Sequence, residues 1–176
     1  MNTGESLNDS RGQKWTIGQP LGRGLWGSSW LVRNGSDQEM VLKVAHQTAD
    51  FPTDAPLPAN IVDDCHKCLD EQAALLRDAA FPFLPRLDQS IKLAGGTPAL
   101  ILPKYSSMEK TTLTLRRSLE ILVSVTRALR NAGRIHGNLH QGNIFINERG
   151  EPVLSDLLTP TSQALRLKLL ELATHI

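Results

Sequence analysis

Apolar and polar positions fall in short β-type runs over the first half of the chain and recur at helical spacing over much of the second. WTIGQPLG and SSWLVRNGSDQEMVLKVAH carry such runs, and the second is broken by Asn34-Gly35-Ser36-Asp37, a hairpin turn signal. They predict three antiparallel strands at 15–21, 28–33 and 39–45. HQTADFPTDAPLPAN is rich in proline, has no periodicity and reads as a loop. From 61 to 79, apolar residues at 61, 62, 65, 68, 69, 73, 75 and 76 approximate one helical face, and the segment closes on FPFLPRL. A strand near 87–93, the turn Ala94-Gly95-Gly96-Thr97 and a strand PALIL complete a predicted five-stranded antiparallel sheet with one helix inserted.

After the polar connection PKYSSMEKTT, Leu119, Leu122, Val123, Thr126 and Leu129 recur at i, i+3, i+4, i+7 and i+10. This spacing predicts a long amphipathic helix stopped by Asn131-Ala132-Gly133. IFIN and PVLS read as a small hairpin around Glu148-Arg149-Gly150, and a last helix is expected over 162–173. The pattern gives an α+β chain in three parts: a polar, aperiodic arm at 1–14, expected to be flexible, a sheet-bearing part at 15–103, and a short helical part at 104–176. The sequence shows no internal repeat.

Composition narrows the partners. At 176 residues the chain suits one domain or two small lobes, and 40% hydrophobic with 21% charged residues is ordinary for a globular protein. A net charge of +1 without a lysine/arginine block provides no general attraction for nucleic acid or anionic membrane. The first residues lack an apolar signal core, and no apolar run approaches the roughly 20 residues needed to span a bilayer. The expectation is a cytoplasmic protein with neither nucleic acid nor membrane as partner. Cys65 and Cys68 form a lone CHKC, whereas zinc takes four ligands; they read as two small residues on one helical face in a reducing compartment.

The chemistry begins at Gly22-x-Gly24-x-x-Gly27 in LGRGLWGSSW. A dinucleotide-binding fold would open a helix at the third glycine, but here a strand, a turn and another strand follow. A glycine-rich turn between antiparallel strands instead lets backbone amides approach phosphates as a flap. Lys43, in the apolar strand MVLKV, needs solvent or an anion, and a phosphate under the flap would supply one. A carboxylate on the next helix would hold it: Glu71 in LDEQAALL is the best candidate, with Asp70 competing.

In this order the residues resemble the protein kinase family. His136, Asn138 and Asn143 in HGNLHQGNIF match that family's HRDxxxxN loop, and Asp156 in SDLL matches the aspartate of its DFG motif. The resemblance covers about residues 15 to 158 and implies a kinase-like fold with a five-stranded N-lobe, one helix and a short, incomplete helical C-lobe. It implies ATP and Mg²⁺ as cofactors, with Lys43 on the α and β phosphates, Glu71 positioning it, and Asn143 and Asp156 on the metal. Residues 99–102 would pass behind the adenine, with Leu102 as gatekeeper.

Several positions depart from the family. Asn138 stands where the catalytic aspartate accepts the substrate proton, and an amide is not a useful base at neutral pH. Gly137 replaces the arginine of HRD, and Leu157-Leu158 replace Phe-Gly. His140 stands where serine/threonine kinases carry lysine, so HGxLHxGN is also similar to the loop of aminoglycoside and choline kinases, which likewise require the aspartate. Only 20 residues follow Asp156 (176 − 156), fewer than an activation segment and peptide-binding platform occupy. The expectation is a nucleotide-binding pseudokinase acting through a protein partner. Its alternatives are a slow kinase for protein or a small hydroxylated substrate, and a nucleotide-free scaffold in which Trp26 fills the pocket.

Overall fold

The structure, a computed structural model, describes residues 1–52, 57–77, 83–108, 112–131, 133 and 135–173. The start of FPFLPRL and Ala132 of the helix stop lie outside the described residues. The chain divides into two compact units. The first comprises Met1–Ala74, Leu87–Pro103 and the segment from Thr159 onward; the second comprises Leu75–Arg86 and Lys104–Leu158.

The first unit is built on a six-stranded sheet. Its strands are β1 (Ser6–Asn8), β2 (Lys14–Arg23), β3 (Gly27–Asn34), β4 (Glu39–Ala45), β5 (Gln89–Lys92) and β6 (Pro98–Pro103), in the order β1-β2-β3-β4-β6-β5 with antiparallel neighbours. The predicted five strands are all present, and the sixth comes from the segment expected to be a flexible arm. Ser6, Leu7 and Asn8 pair with Thr16, Trp15 and Lys14. What orders this segment is polar rather than hydrophobic. The buried Asp9 carboxylate accepts from the Arg11 and Gln13 amides at 2.8 and 2.9 Å, the Trp15 indole at 2.9 Å and Gln89 Nε2 at 2.6 Å.

The β3–β4 turn forms as its sequence predicts: Asn34 Oδ1 accepts from the Ser36 and Gln38 amides, and Asp37 takes a left-handed φ of 59°. β2 shifts register on either side of Pro20, where an irregularity tolerates the missing donor. Alternation then sets the core: Trp15, Ile17, Val32, Met40, Leu42, Val44, Ile91, Ala99 and Ile101 pack as one buried cluster. Lys43 falls on the opposite face of β4, in register with Ser29 and Leu100.

Helix α1 (Ile61–Arg77) begins with Asp63 and Asp64 and ends with Arg77, charges that suit its dipole. It buries Ile61, Cys65, Cys68, Leu69, Gln72 and Ala73. Burial pushes both thiols up to about 12, so the cysteines are inert packing groups.

The second unit holds a three-stranded sheet of β7 (Ser106–Ser107), β8 (Ile144–Ile146) and β9 (Pro152–Leu154), together with helix α2 (Leu115–Asn131). Of the predicted stripe Leu119, Leu122, Val123, Thr126 and Leu129, only Leu129 is buried; it packs with Ile121, Val125, Ile144, Leu154 and Leu157, while Leu119 and Val123 are each 54% exposed. Both stripes have helical spacing; the one with β8 and β9 against it wins.

The last helix, α3 (Pro160–Ala173), starts two residues before its expected position. Pro160 fits the first turn, where no backbone donor is lost, and Thr159 precedes it as a cap whose hydroxyl accepts from the Ser162 amide at 3.3 Å. The segment from Thr159 groups with the first unit rather than with the helical part at 104–158. Lys168 bonds Asp64 of α1 at 2.8 Å, and Leu165 is fully buried.

Candidate functional site

In the first unit, the glycine-rich turn joins β2 to β3. A Cβ at Gly22 would meet nothing within 4 Å, and one at Gly24 only the Gly27 carbonyl at 3.7 Å. Gly27 differs, because its Cβ would lie 2.4 Å from the Val44 carbonyl oxygen. Close backbone approach between β3 and β4 therefore accounts for Gly27, while Gly22 and Gly24 leave open space. The turn is fastened from the end of β4. His46 Nε2 lies 2.9 Å from the Gly24 carbonyl, and the His46 amide donates to the Trp26 carbonyl at 3.1 Å. Trp26 itself is 6% exposed.

Lys43 is half-buried on β4, and Nζ donates to Gln72 Oε1 at 3.2 Å. Neither acid weighed as its partner supplies this contact. Asp70 is held by Lys92 at 3.0 and 2.9 Å, and Glu71 accepts from the Thr161 amide at 3.1 Å and the Thr161 hydroxyl at 2.5 Å. Desolvation would raise the Glu71 carboxyl, but the bonds from Thr161 and Thr159 outweigh it and hold it below the usual glutamate range. Glu71 thus caps α3, where a helix N-terminus favours negative charge. Gln72 was missed, although a signal existed: positions 61, 65, 68 and 72 form one i, i+4, i+7, i+11 stripe, so an amide there must lie inside. Leu102 is half-buried on β6, opposite Val41, and its neighbour Ile101 is fully buried.

In the second unit, Asn143 is buried, and its Nδ2 donates to the Asn138 carbonyl at 2.9 Å. Its own backbone carbonyl accepts from the Ser155 amide at 3.0 Å, which brings residue 143 alongside the segment carrying Asp156. Asp156 has φ 58°, a conformation aspartate tolerates better than most residues. The buried His136 accepts the Asn138 amide on Nδ1 at 3.3 Å, which puts the proton of the neutral ring on Nε2. Burial holds this imidazole below the ordinary histidine range. His140 is exposed and accepts from the Gly142 amide at 3.2 Å, capping the single turn Gln141–Asn143.

The departures from the kinase pattern are sterically coupled. Gly137 has φ 73°, and a Cβ there would sit 2.2 Å from Leu158 Cδ1. The Leu158 amide also donates to the His136 carbonyl at 3.1 Å. A side chain at 137 therefore requires Leu158 to shift, as well as a left-handed φ.

The donor chemistry suits the implied cofactors. With Nδ2 tied to the loop, Asn143 has its carbonyl oxygen left to coordinate, and Asp156 carries a carboxylate; both are the hard oxygen donors Mg²⁺ takes. The ammonium of Lys43 suits phosphate oxygens, whereas the Gly24 amide already donates to the Gly27 carbonyl at 2.8 Å. Among the described residues, no helix is long and apolar enough to cross a membrane.

No family model matches the chain. It is 28% identical over 149 residues to the serine/threonine-protein kinase PknK of Mycobacterium tuberculosis, an alignment covering 78% of this chain and 12% of that protein. It is 27% identical over 163 residues to the mitogen-activated protein kinase kinase kinase A of Dictyostelium discoideum, covering 89% of this chain and 17% of that one. The chain thus spans less than a fifth of the length of these curated relatives. Among solved structures, the apo form of PpkA-294 matches with a TM-score of 0.67 at 19% identity, over 97% of this chain and 65% of that chain. Vaccinia related kinase 3 matches with a TM-score of 0.51 at 17% identity, over 88% and 50%. Fold and sequence similarity agree: the chain has a protein kinase-like fold and is similar in sequence to serine/threonine protein kinases.

Proposed function

We propose that the chain is a nucleotide-binding pseudokinase domain that acts through a protein partner. The observation that carries this reading is the state of the catalytic loop. His136, Asn138 and Asn143 are tied to one another as a folded loop, yet the residue at the acid/base position is an amide. Asn143 and Asp156 would hold Mg²⁺, which when bound offsets charge on the phosphate oxygens, and Lys43 would hold the α and β phosphates. Binding and transfer are separable, because phosphoryl transfer depends on positioning and charge as well as on a base. A partner has a surface to use: Leu115, Leu119, Leu122 and Val123 form an exposed apolar stripe on α2.

A radiolabelled phosphate-transfer assay tests the reading. Wild type should transfer little or nothing, and Asn138→Asp should raise transfer by about 10²–10⁴-fold if the missing base is the main defect. Strong transfer by the wild type, lost in Lys43→Met and Asp156→Asn, would make it a working kinase instead. One observation favours a nucleotide-free scaffold, namely the burial of Trp26 in a loop fastened by His46. Partner capture that ignores ATP and Mg²⁺ would support that version.

A further inference from the structure

α2 buries Ile121, Val125 and Leu129 on one side and leaves Leu115, Leu119, Leu122 and Val123 exposed on the other, Leu115 at 78%. On the exposed side Leu119, Val123, Thr126 and Arg130 recur at i, i+4, i+7 and i+11, a seam that is apolar at its start and basic at its end. Arg116 and Arg127, also i and i+11, run along one flank of it. A shallow groove on this face is lined by Leu115, Arg116, Leu119, Glu120 and Val123.

The helix carries four arginines and one glutamate. Glu120 serves two of them, Arg116 at 3.1 Å and Arg117 at 3.2 Å. The guanidinium groups of Arg127 and Arg130 are exposed and have no partner among the described residues. Helix stability does not account for this excess. Arg116 and Arg117 stand in a first turn that holds no acid, where the dipole favours one, and only Arg130 in the last turn suits it.

We propose that this face of α2 docks an amphipathic helix of a partner protein, whose apolar side covers Leu115, Leu119 and Val123 and whose acidic residues meet Arg127 and Arg130. The inference rests on the partner reading above and gives that partner its chemistry. The seam from Leu115 to Arg130 is about 22 Å long, about four turns, which a single helix laid along it matches. A second copy of α2 would set arginines against arginines. Glu120 in the groove opposes an anionic bilayer, and a net charge of +1 supplies no general attraction to one.

The test titrates the full chain with a synthetic helical peptide that has leucines at i, i+3, i+4 and i+7 and glutamates beside them, and with the same peptide carrying lysines instead. Fluorescence anisotropy should show the glutamate peptide binding and the lysine peptide at least about tenfold weaker. Leu119→Glu should abolish binding, and Arg127→Glu with Arg130→Glu should reverse the preference. The two arginines are exposed, so their double variant decides the matter even where Leu119→Glu fails to fold. Equal binding of both peptides, or of neither, overturns the proposal. So does a dimer in sedimentation that Leu119→Glu dissociates, which assigns the face to a second copy, or capture of wild type but not Leu119→Glu by phosphatidylserine vesicles, which assigns it to a membrane. No nucleotide enters this titration, so its failure leaves the nucleotide reading standing, and failure to bind ATP leaves this surface standing.

Discussion

Gly137 and Leu158 stand at two positions where this chain departs from the kinase pattern, and the structure makes them one feature. A side chain at 137 meets both an unfavourable φ of 73° and the Leu158 methyl carbon. Gly137→Ala should therefore cost about 1–3 kcal/mol of stability by chemical denaturation. Adding Leu158→Ala should recover the part due to overlap, leaving the part due to φ. His136 adds a pH dependence. Its folded-state pKa lies below the unfolded value, so the unfolded chain binds more protons as pH falls below about 6.5. Its contribution is fully present above that pH and diminishes as pH falls toward the folded value. Unfolding of wild type and His136→Phe, compared between pH 7.5 and 5, should show a steeper loss on acidification in the wild type; parallel curves would contradict a buried neutral ring.

At the scale of elements, legibility depends on which force orders a segment. Every strand backed by alternation was readable, because burial of one face leaves a period-two trace. β1 left no such trace, since Leu7 is its only apolar residue and its order comes from the bonds converging on Asp9. Asp9→Ala should cost about 3 kcal/mol and free the first residues, read as faster amide exchange at Leu7 and Asn8. Desolvation opposes ionisation of Asp9, but bonds from Trp15, Gln89, Gln13 and Arg11 prevail and lower its pKa. α2 was readable as a helix but not in its orientation, because two of its faces carry apolar residues and only tertiary contact chooses between them. In α1 the same periodicity that locates the helix also locates Gln72, while charge complementarity points to its acidic neighbours; packing geometry decides the contact.

At the scale of the whole molecule, the kinase-like fold was legible from the order and spacing of a few polar residues, more than from any run of apolar ones. The placement of Asn143 against the Asn138 carbonyl and of Lys43 on the face of β4 away from the main sheet core follows that order. The grouping of α3 with the first unit was not legible, because it depends on Glu71 and Thr161, 90 positions apart, meeting at a helix cap. The central claim is that this fold still binds nucleotide. The measurement that tests it most directly is a thermal-shift titration with ATP, with and without Mg²⁺, on wild type, Lys43→Met and Asp156→Asn. Ligand at about 100 times its dissociation constant adds roughly 2.7 kcal/mol, which is several degrees for a domain of this size. The account predicts a metal-dependent rise in Tm that both variants lose; no rise at saturating ATP would contradict it and leave the fold as a scaffold.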